Sequence, residues 1–148
     1  MSPTKISTPF QPLSWNTNMP APDVPASALV YKFARMELKF DTDAMRGKGL
    51  APYLITIHPG TEQNTEEFCT SSYDGQVLFE GEIMGRTGTV AIYERGTTSN
   101  GDVNAEWVIA TGTASGQLKG IKGHGGYALK AGNGGKTIAG HLEVDFDS

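Results

Sequence analysis

The sequence predicts an all-β protein in which about eight antiparallel strands curl into a closed or nearly closed barrel. Apolar side chains recur at every second position from residue 28 onward, and no window of helical length shows a 3.6-residue period. Glycine also recurs at short intervals between Gly112 and Tyr127. Glycines in strands mark bends, bulges and close backbone approach, and repeated corner glycines let a sheet curl and close on itself.

The amino-acid composition limits the classes of protein to which this chain can belong. The chain has 148 residues, of which 38% are hydrophobic and 19% charged, so we expect a single globular domain with a sizeable core. The net charge of −4 argues against nucleic acid as a partner. Cys69 stands alone and the histidines lack a ligand spacing, so no metal or cofactor is expected. Without a membrane-length apolar run or a secretory leader, the sequence predicts a cytoplasmic protein with no membrane partner.

The first 25 residues contain six of the eight prolines. Proline is excluded from helix interiors and from central strands. We therefore expect an extended Pro-rich arm over residues 1–27 and a β-barrel domain over residues 28–148. Phe10, Leu13 and Trp15 are expected to anchor the arm on the barrel or on a neighbouring subunit.

From residue 28 the alternation predicts the strands in order. The side chains that share a face in the first five strands are Val30, Ala34, Met36, Leu38 and Phe40; Tyr53, Ile55 and Ile57; Val77, Phe79 and Ile83; Val90, Ile92 and Glu94; and Val103, Ala105, Trp107 and Ile109. Asn100-Gly101 predicts a tight hairpin between the last two of these. A strand with Leu118 and Ile121, a short one with Tyr127 and Leu129, and a last one from 138 to 146 complete the set.

The segment from 112 to 127 also resembles a known pattern. It reads Gly-Thr-Ala-Ser-Gly-Gln-Leu-Lys-Gly-Ile-Lys-Gly-His-Gly-Gly-Tyr and resembles the GxGxLxGIxGxGxF segment of an uncharacterised bacterial and fungal domain family. That family looks like a relative of the allene oxide cyclase and dirigent-type barrels, and the match extends from about residue 36 to 147. The resemblance implies an eight-stranded homo-oligomeric barrel, a dimer or trimer, with a ligand-sized cavity and no cofactor. It also implies a role in cyclisation or coupling within secondary metabolism.

Glu94 is the polar exception on an apolar face. It continues the face of Val90 and Ile92, and the hairpin places Trp107 beside it. A carboxylate there must be paired, hydrogen-bonded or protonated, because an isolated buried charge is very costly. Lys32 and Tyr53 are the expected partners. The alternative is that Glu94 lies at the barrel mouth and reaches solvent, paired with Arg95 or Lys32.

Three functions follow from these residues. The first is a cofactor-independent isomerase or cyclase for an apolar small molecule, with Glu94 as acid/base and Tyr53 or Lys32 stabilising negative charge on oxygen. The residues expected to bind the substrate are Trp107, Phe79, Tyr127, Met36, Ile109 and Leu142. The second is a non-catalytic small-molecule binding or interaction barrel. The third is a carboxylate-dependent hydrolase pairing Glu94 with Glu80 or Glu106, which ranks last because both lie on the opposite face of their strands.

Overall fold

The structure, a computed structural model, describes residues 3–17, 30–58, 70–99, 101–130 and 137–146. Within these residues the chain forms strands, turns and loops and no helix. The ten strands in this part of the chain are β1 (Thr4–Ser7), β2 (Phe10–Asn16), β3 (Val30–Asp41), β4 (Met45–Ile57), β5 (Thr70–Ile83), β6 (Arg86–Ser99), β7 (Asp102–Ile109), β8 (Ser115–Gly116), β9 (Ile121–Leu129) and β10 (Gly140–Phe146). Among the described residues, no helix is long and apolar enough to cross a membrane.

The strands form one antiparallel sheet. Its order is β1-β10-β9-β7-β6-β5-β4-β3-β2, and β8 pairs with β6 off this path. Strands β3 to β7 form a meander, because each pairs with the next one along the chain. The predicted all-β antiparallel architecture is confirmed, as a curled, barrel-like sheet.

The N-terminal segment differs from its prediction. We expected an extended arm here, but residues 4–16 contain two strands of the sheet. Strand β1 pairs with β10, and β2 pairs with β3. Between them Phe10 and Ile138 exchange backbone hydrogen bonds of 2.9 and 2.7 Å. Pro12 is tolerated because it lies at the edge of the strand order, beside a register shift between Pro12 and Ser14. Residues 18–27 of the predicted arm lie outside the described residues.

The glycine-rich segment also differs in detail. In place of two short strands, one strand, β9, runs from Ile121 to Leu129, and Leu118 is buried in the turn before it. Gly125 and Gly126 lie so close to neighbouring strands that an added Cβ would meet the carbonyl oxygens of His141 and Ala105. Close backbone approach therefore accounts for glycine at these two positions, as the sequence pattern predicted.

The inner face of the sheet holds the core. Four side chains of β3 are buried, those of Ala34, Met36, Leu38 and Phe40. Their burial confirms the apolar face predicted for that strand. The side chain of Val30 is not among those that the structure describes. The rings of Phe40 and Phe79 meet edge to face at 5.5 Å. Dense packing of this kind occupies one end of the inner face, and the other end carries the site described next.

Candidate functional site

Three rows of side chains cross the inner face of strands β4, β5, β6, β7 and β9. The mouth row is Ile57, Ser71, Thr98, Val103 and Leu129. The middle row is Ile55, Tyr73, Gly96, Ala105 and Tyr127. The base row is Tyr53, Gly75, Glu94, Trp107 and Gly125. Residues two apart on a strand point to the same side, so the rows are stacked from the mouth towards the packed core.

Glu94 accepts four hydrogen bonds in the base row, although only 2% of the residue is exposed. The Tyr53 hydroxyl and the Trp107 indole N–H donate to its Oε1 at 3.1 and 2.8 Å. The hydroxyls of Tyr73 and Tyr127 donate to Oε2, both at 2.8 Å. An ionised carboxylate only accepts hydrogen bonds and offers about four sites. The four donors therefore match a buried carboxylate anion.

The tyrosines are held as neutral donors. Burial raises the pKa of Tyr53, Tyr73 and Tyr127 well above the usual value, and the neighbouring charge of Glu94 raises each of them further. The hydroxyls of Tyr73 and Tyr127 also lie 3.0 Å apart. These phenols keep their protons at neutral pH and continue to donate to Glu94.

Two glycines make room for the tyrosine rings. A Cβ added at Gly96 would collide with the ring and hydroxyl of Tyr73. One added at Gly75 would meet the ring of Tyr53 and the carbonyl oxygen of Pro52. The rings of Tyr53 and Tyr73 thus lie across glycine backbone, with centroids 5.0 Å apart and planes at 73°. Glycine at these positions is what lets both hydroxyls reach the carboxylate.

A cavity of about 410 Å³ opens above this base. All five residues of the mouth row line it, together with the three tyrosines that bind Glu94. Lys32 and Met36 of β3 and Trp15 of β2 complete much of the remaining wall. Most of these side chains are apolar or aromatic. Glu94 itself lies behind the tyrosine rings rather than in the wall.

The structure brings several predicted site residues together. Glu94, Tyr53, Trp107 and Tyr127 form the hydrogen-bonded cluster, and Met36 lies in the cavity wall. Lys32 also lines the cavity, opposite Ile55 in register, while the donors to Glu94 are the tyrosines and Trp107.

Other predicted residues lie elsewhere. Phe79, Ile109 and Leu142 are buried in the packed core and do not line the cavity. Arg95, the alternative partner of Glu94, pairs with Asp74 at 3.0 Å, and both are exposed.

The two carboxylates that a hydrolase would need are not brought together. Glu80 and Glu106 are exposed, whereas Glu94 is buried. Strand alternation explains this separation, because both residues point away from the inner face. In the described part of the chain, no group of three His, Cys, Asp or Glu side chains could hold a metal ion.

Sequence reasoning missed Tyr73, Ser71 and Thr98. The signal was present in the sequence for all three. Extending the alternation of Val77 and Phe79 back by two, four and six residues gives Gly75, Tyr73 and Ser71. The polar pair Ser71-Ser72 masked that pattern. The same extension finds Thr98, because the face of Val90, Ile92 and Glu94 continues through Gly96 to Thr98.

Fold and cavity together define an antiparallel, barrel-like β protein with an internal cavity. The chain belongs to the family DUF3224, described as "Protein of unknown function", whose model matches residues 7–139. A solved structure from Shewanella oneidensis MR-1, described as a protein with unknown function from the DUF3224 family, is similar in fold. It is 13% identical, with a TM-score of 0.71, and the match covers 99% of each chain. No curated protein matches the chain.

Proposed function

We propose that this protein binds an apolar small molecule in the cavity above the Glu94 cluster. The observation that carries the proposal is the cavity itself, about 410 Å³ in volume and walled mostly by apolar and aromatic side chains. Ligand sites in proteins are typically clefts of about 300–1,000 Å³ with such walls and a few polar groups. A molecule of this kind would remove the apolar wall from water, which favours binding.

The strand order of the sheet supports this proposal. It begins with β1 and ends with β2, which are adjacent in the chain, so one N-terminal segment forms both ends of the path. We infer that this segment closes the sheet into a barrel, and that the cavity above the Glu94 cluster thereby becomes an enclosed site. A relationship to the allene oxide cyclase-like barrels is part of the same proposal.

In this proposal Glu94 positions the tyrosines. Its carboxylate oxygens already accept four hydrogen bonds, and the hydroxyls that line the cavity point to it. The tyrosines therefore turn ring surfaces, rather than donor groups, towards a ligand. This arrangement favours binding over proton transfer by the carboxylate.

The test is titration with N-phenylnaphthylamine, an uncharged probe whose emission rises in apolar surroundings. Val103→Trp fills the mouth row, and Asn104→Trp is the matched control, because Asn104 is the exposed neighbour of Val103 on the same strand. We expect saturable binding that Val103→Trp weakens at least about tenfold, since a filled pocket cannot hold the probe, and that Asn104→Trp leaves unchanged. Equal binding by all three proteins would place the probe outside the cavity.

A cofactor-independent isomerase or cyclase is the second candidate. It is favoured by the tyrosines, which both line the cavity and donate to a buried carboxylate. If the phenol oxygen of Tyr53 takes a proton from a bound molecule, its own hydroxyl proton can pass to Glu94 Oε1, 3.1 Å away. The protein would otherwise hold the molecule folded and exclude water.

Proton exchange tests this candidate. Tetralone, an apolar ketone, is incubated with the protein in heavy water, and deuterium incorporation beside the carbonyl is followed by NMR. A Tyr53-to-Glu94 relay predicts faster exchange with the native protein than with Tyr53→Phe. Exchange at the rate of buffer alone would contradict it for this class of ketone.

Homo-oligomerisation, as a dimer or trimer, is also a proposal. It is supported by exposed apolar side chains on the outer face: Leu78, Tyr93 and Val108 are 46%, 50% and 51% exposed. Tyr93 and Val108 are direct neighbours across β6 and β7. Sedimentation of the native protein and of Tyr93→Glu tests it; we expect the substitution to release monomers, and a native monomer would contradict it.

A further inference from the structure

We propose that the ligand carries one neutral hydroxyl or carbonyl group and that Ser71 and Thr98 bind it. This inference rests on the proposed binding function and specifies the chemical class of the ligand. It is carried by two hydroxyl side chains that lie side by side in an otherwise apolar row of the cavity wall.

Ser71 is the buried member of the pair. It is 7% exposed, faces the inside of β5 and lines the cavity. Among the described residues, the buried side-chain oxygen that lacks a hydrogen-bond partner belongs to Thr8, so the Ser71 oxygen is accessible from the cavity. A ligand oxygen in the cavity can therefore form a hydrogen bond with this hydroxyl, which can donate or accept.

Thr98 lies directly across the strand pair from Ser71. Directly opposite residues of antiparallel strands have Cβ atoms roughly 4.5–5.5 Å apart, so one ligand oxygen can reach both hydroxyls. Each hydroxyl can donate or accept. The pair therefore suits a carbonyl, which accepts from both, or a hydroxyl, which accepts from one and donates to the other.

The residues beside Ser71 and Thr98 indicate the chemistry of the rest of the ligand. Ile57 lies beside Ser71 and Val103 beside Thr98 in the mouth row, so apolar side chains flank the hydroxyls on both sides. A neutral group gives up less hydration than an ion when it enters such a wall. The negative charge of Glu94 beneath the tyrosines further disfavours an anion. Lys32, a cation in the cavity wall, lies opposite Ile55 in the middle row and is separated from Ser71 by β4. We therefore infer an apolar skeleton with a single uncharged oxygen function.

Calorimetric titration with naphthalene, naphthol and naphthoate tests this inference. These probes share one ring system and differ in having no polar group, a hydroxyl or a carboxylate. We expect naphthol to bind native protein about threefold to tenfold more tightly than naphthalene, which is the range of one net hydrogen bond. Ser71→Ala and Thr98→Val should each reduce that preference and leave naphthalene binding unchanged.

Thr97→Val is the matched control, because Thr97 is the exposed neighbour of Thr98 on the same strand. It should retain the full preference for naphthol. Circular dichroism establishes that each variant is folded, and Thr98→Val decides the matter if Ser71→Ala does not fold. If naphthol and naphthalene bind native protein equally, or if naphthoate binds most tightly, the inference is overturned while the binding function stands. If none of the probes binds, both proposals fail.

Discussion

The two ends of the inner sheet face follow the same alternation but contain different side chains. At the packed end, β5, β6 and β7 contribute the neighbours Val77, Ile92 and Ile109, which are 0%, 1% and 2% exposed. At the mouth, the same three strands contribute Ser71, Thr98 and Val103, which line a cavity. Alternation decides which side chains point inwards. Their size and polarity decide whether the interior is filled or open.

The base row separates these two ends. The Trp107 side chain contacts both regions. Its ring centroid lies 5.6 Å from that of Phe10 in the core, and its indole N–H donates a hydrogen bond to Glu94. The carboxylate thus orders the floor of the cavity from the core side. Breaking the base row should affect both ends, whereas changes within one end should remain local.

The largest effect is expected from Glu94→Leu. This change leaves the N–H of Trp107 and the tyrosine hydroxyls without their acceptor. One of the Tyr73 and Tyr127 hydroxyls can then donate to the other, 3.0 Å away, which leaves three unsatisfied donors. Each unsatisfied buried donor costs about 1–3 kcal/mol, so we expect the free energy of unfolding to fall by about 3 kcal/mol or more. Urea denaturation measures the free energy of unfolding of the native protein and of the variant.

Glu106→Leu is the control for Glu94→Leu, because Glu106 is exposed on the adjacent strand. Exposed substitutions usually change stability by no more than about 0.5 kcal/mol. If Glu94→Leu does not fold, Glu94→Gln retains one acceptor oxygen and should show a smaller loss. Equal stability of the Glu94 and Glu106 variants would show that the hydrogen-bonded cluster is not structurally important.

Next in size is the difference between truncations at the two ends. Phe79→Ala removes a fully buried ring from the packed end and should lower the free energy of unfolding by about 3–5 kcal/mol. Ile57→Ala enlarges an existing cavity at a side chain that is only partly buried, and we expect a loss of about 1 kcal/mol. Chemical denaturation of both variants compares them. Equal losses would contradict the division into a packed and an open end.

How much the sequence could predict depends on distance along the chain. The meander from β3 to β7 and the hairpin between β6 and β7 follow from local alternation and turn chemistry, and the register of that hairpin placed Glu94 beside Trp107. The pairing of residues 4–16 with both β3 and β10 is non-local, and the density of prolines concealed it. A ligand-sized cavity was expected only from the family resemblance, and most of its lining could not be derived from the residues, because it depends on side-chain volumes from seven strands.

Gly96→Ala is expected to have a smaller effect, because it acts by displacing the Tyr73 ring. Overpacking of this kind typically costs about 1–3 kcal/mol. The sharper experiment is a double-mutant cycle with Tyr73→Ala: once the ring is removed, Gly96→Ala should cost little. Additive losses in the cycle would show that the glycine serves another purpose.

The effect that is absent at neutral pH is a pH dependence of stability, which appears only above about pH 10. The unfolded chain releases tyrosine protons above about pH 10, whereas the raised pKa values of Tyr53, Tyr73 and Tyr127 keep those protons in the folded state. Their contribution is therefore complete below pH 10 and is lost as the pH rises above it. Each tyrosine should lower the unfolding free energy by about 1.4 kcal/mol per pH unit in that range.

Denaturation at a series of alkaline pH values measures how steeply the free energy of unfolding falls with pH. Tyr73→Phe should make this slope shallower by the contribution of one tyrosine. A slope that does not change on removal of Tyr73 would mean that its hydroxyl is not protected in the folded protein.

The most direct measurement is methyl NMR of the isotopically labelled protein with naphthalene. We predict intermolecular contacts from naphthalene to the methyl groups of Ile57, Val103 and Leu129, and none to those of Ile92 and Ile109 in the packed end. Contacts to the exposed methyl groups of Leu78 and Val108 alone, or no contacts at all, would contradict the claim that the open end of the sheet is a binding site.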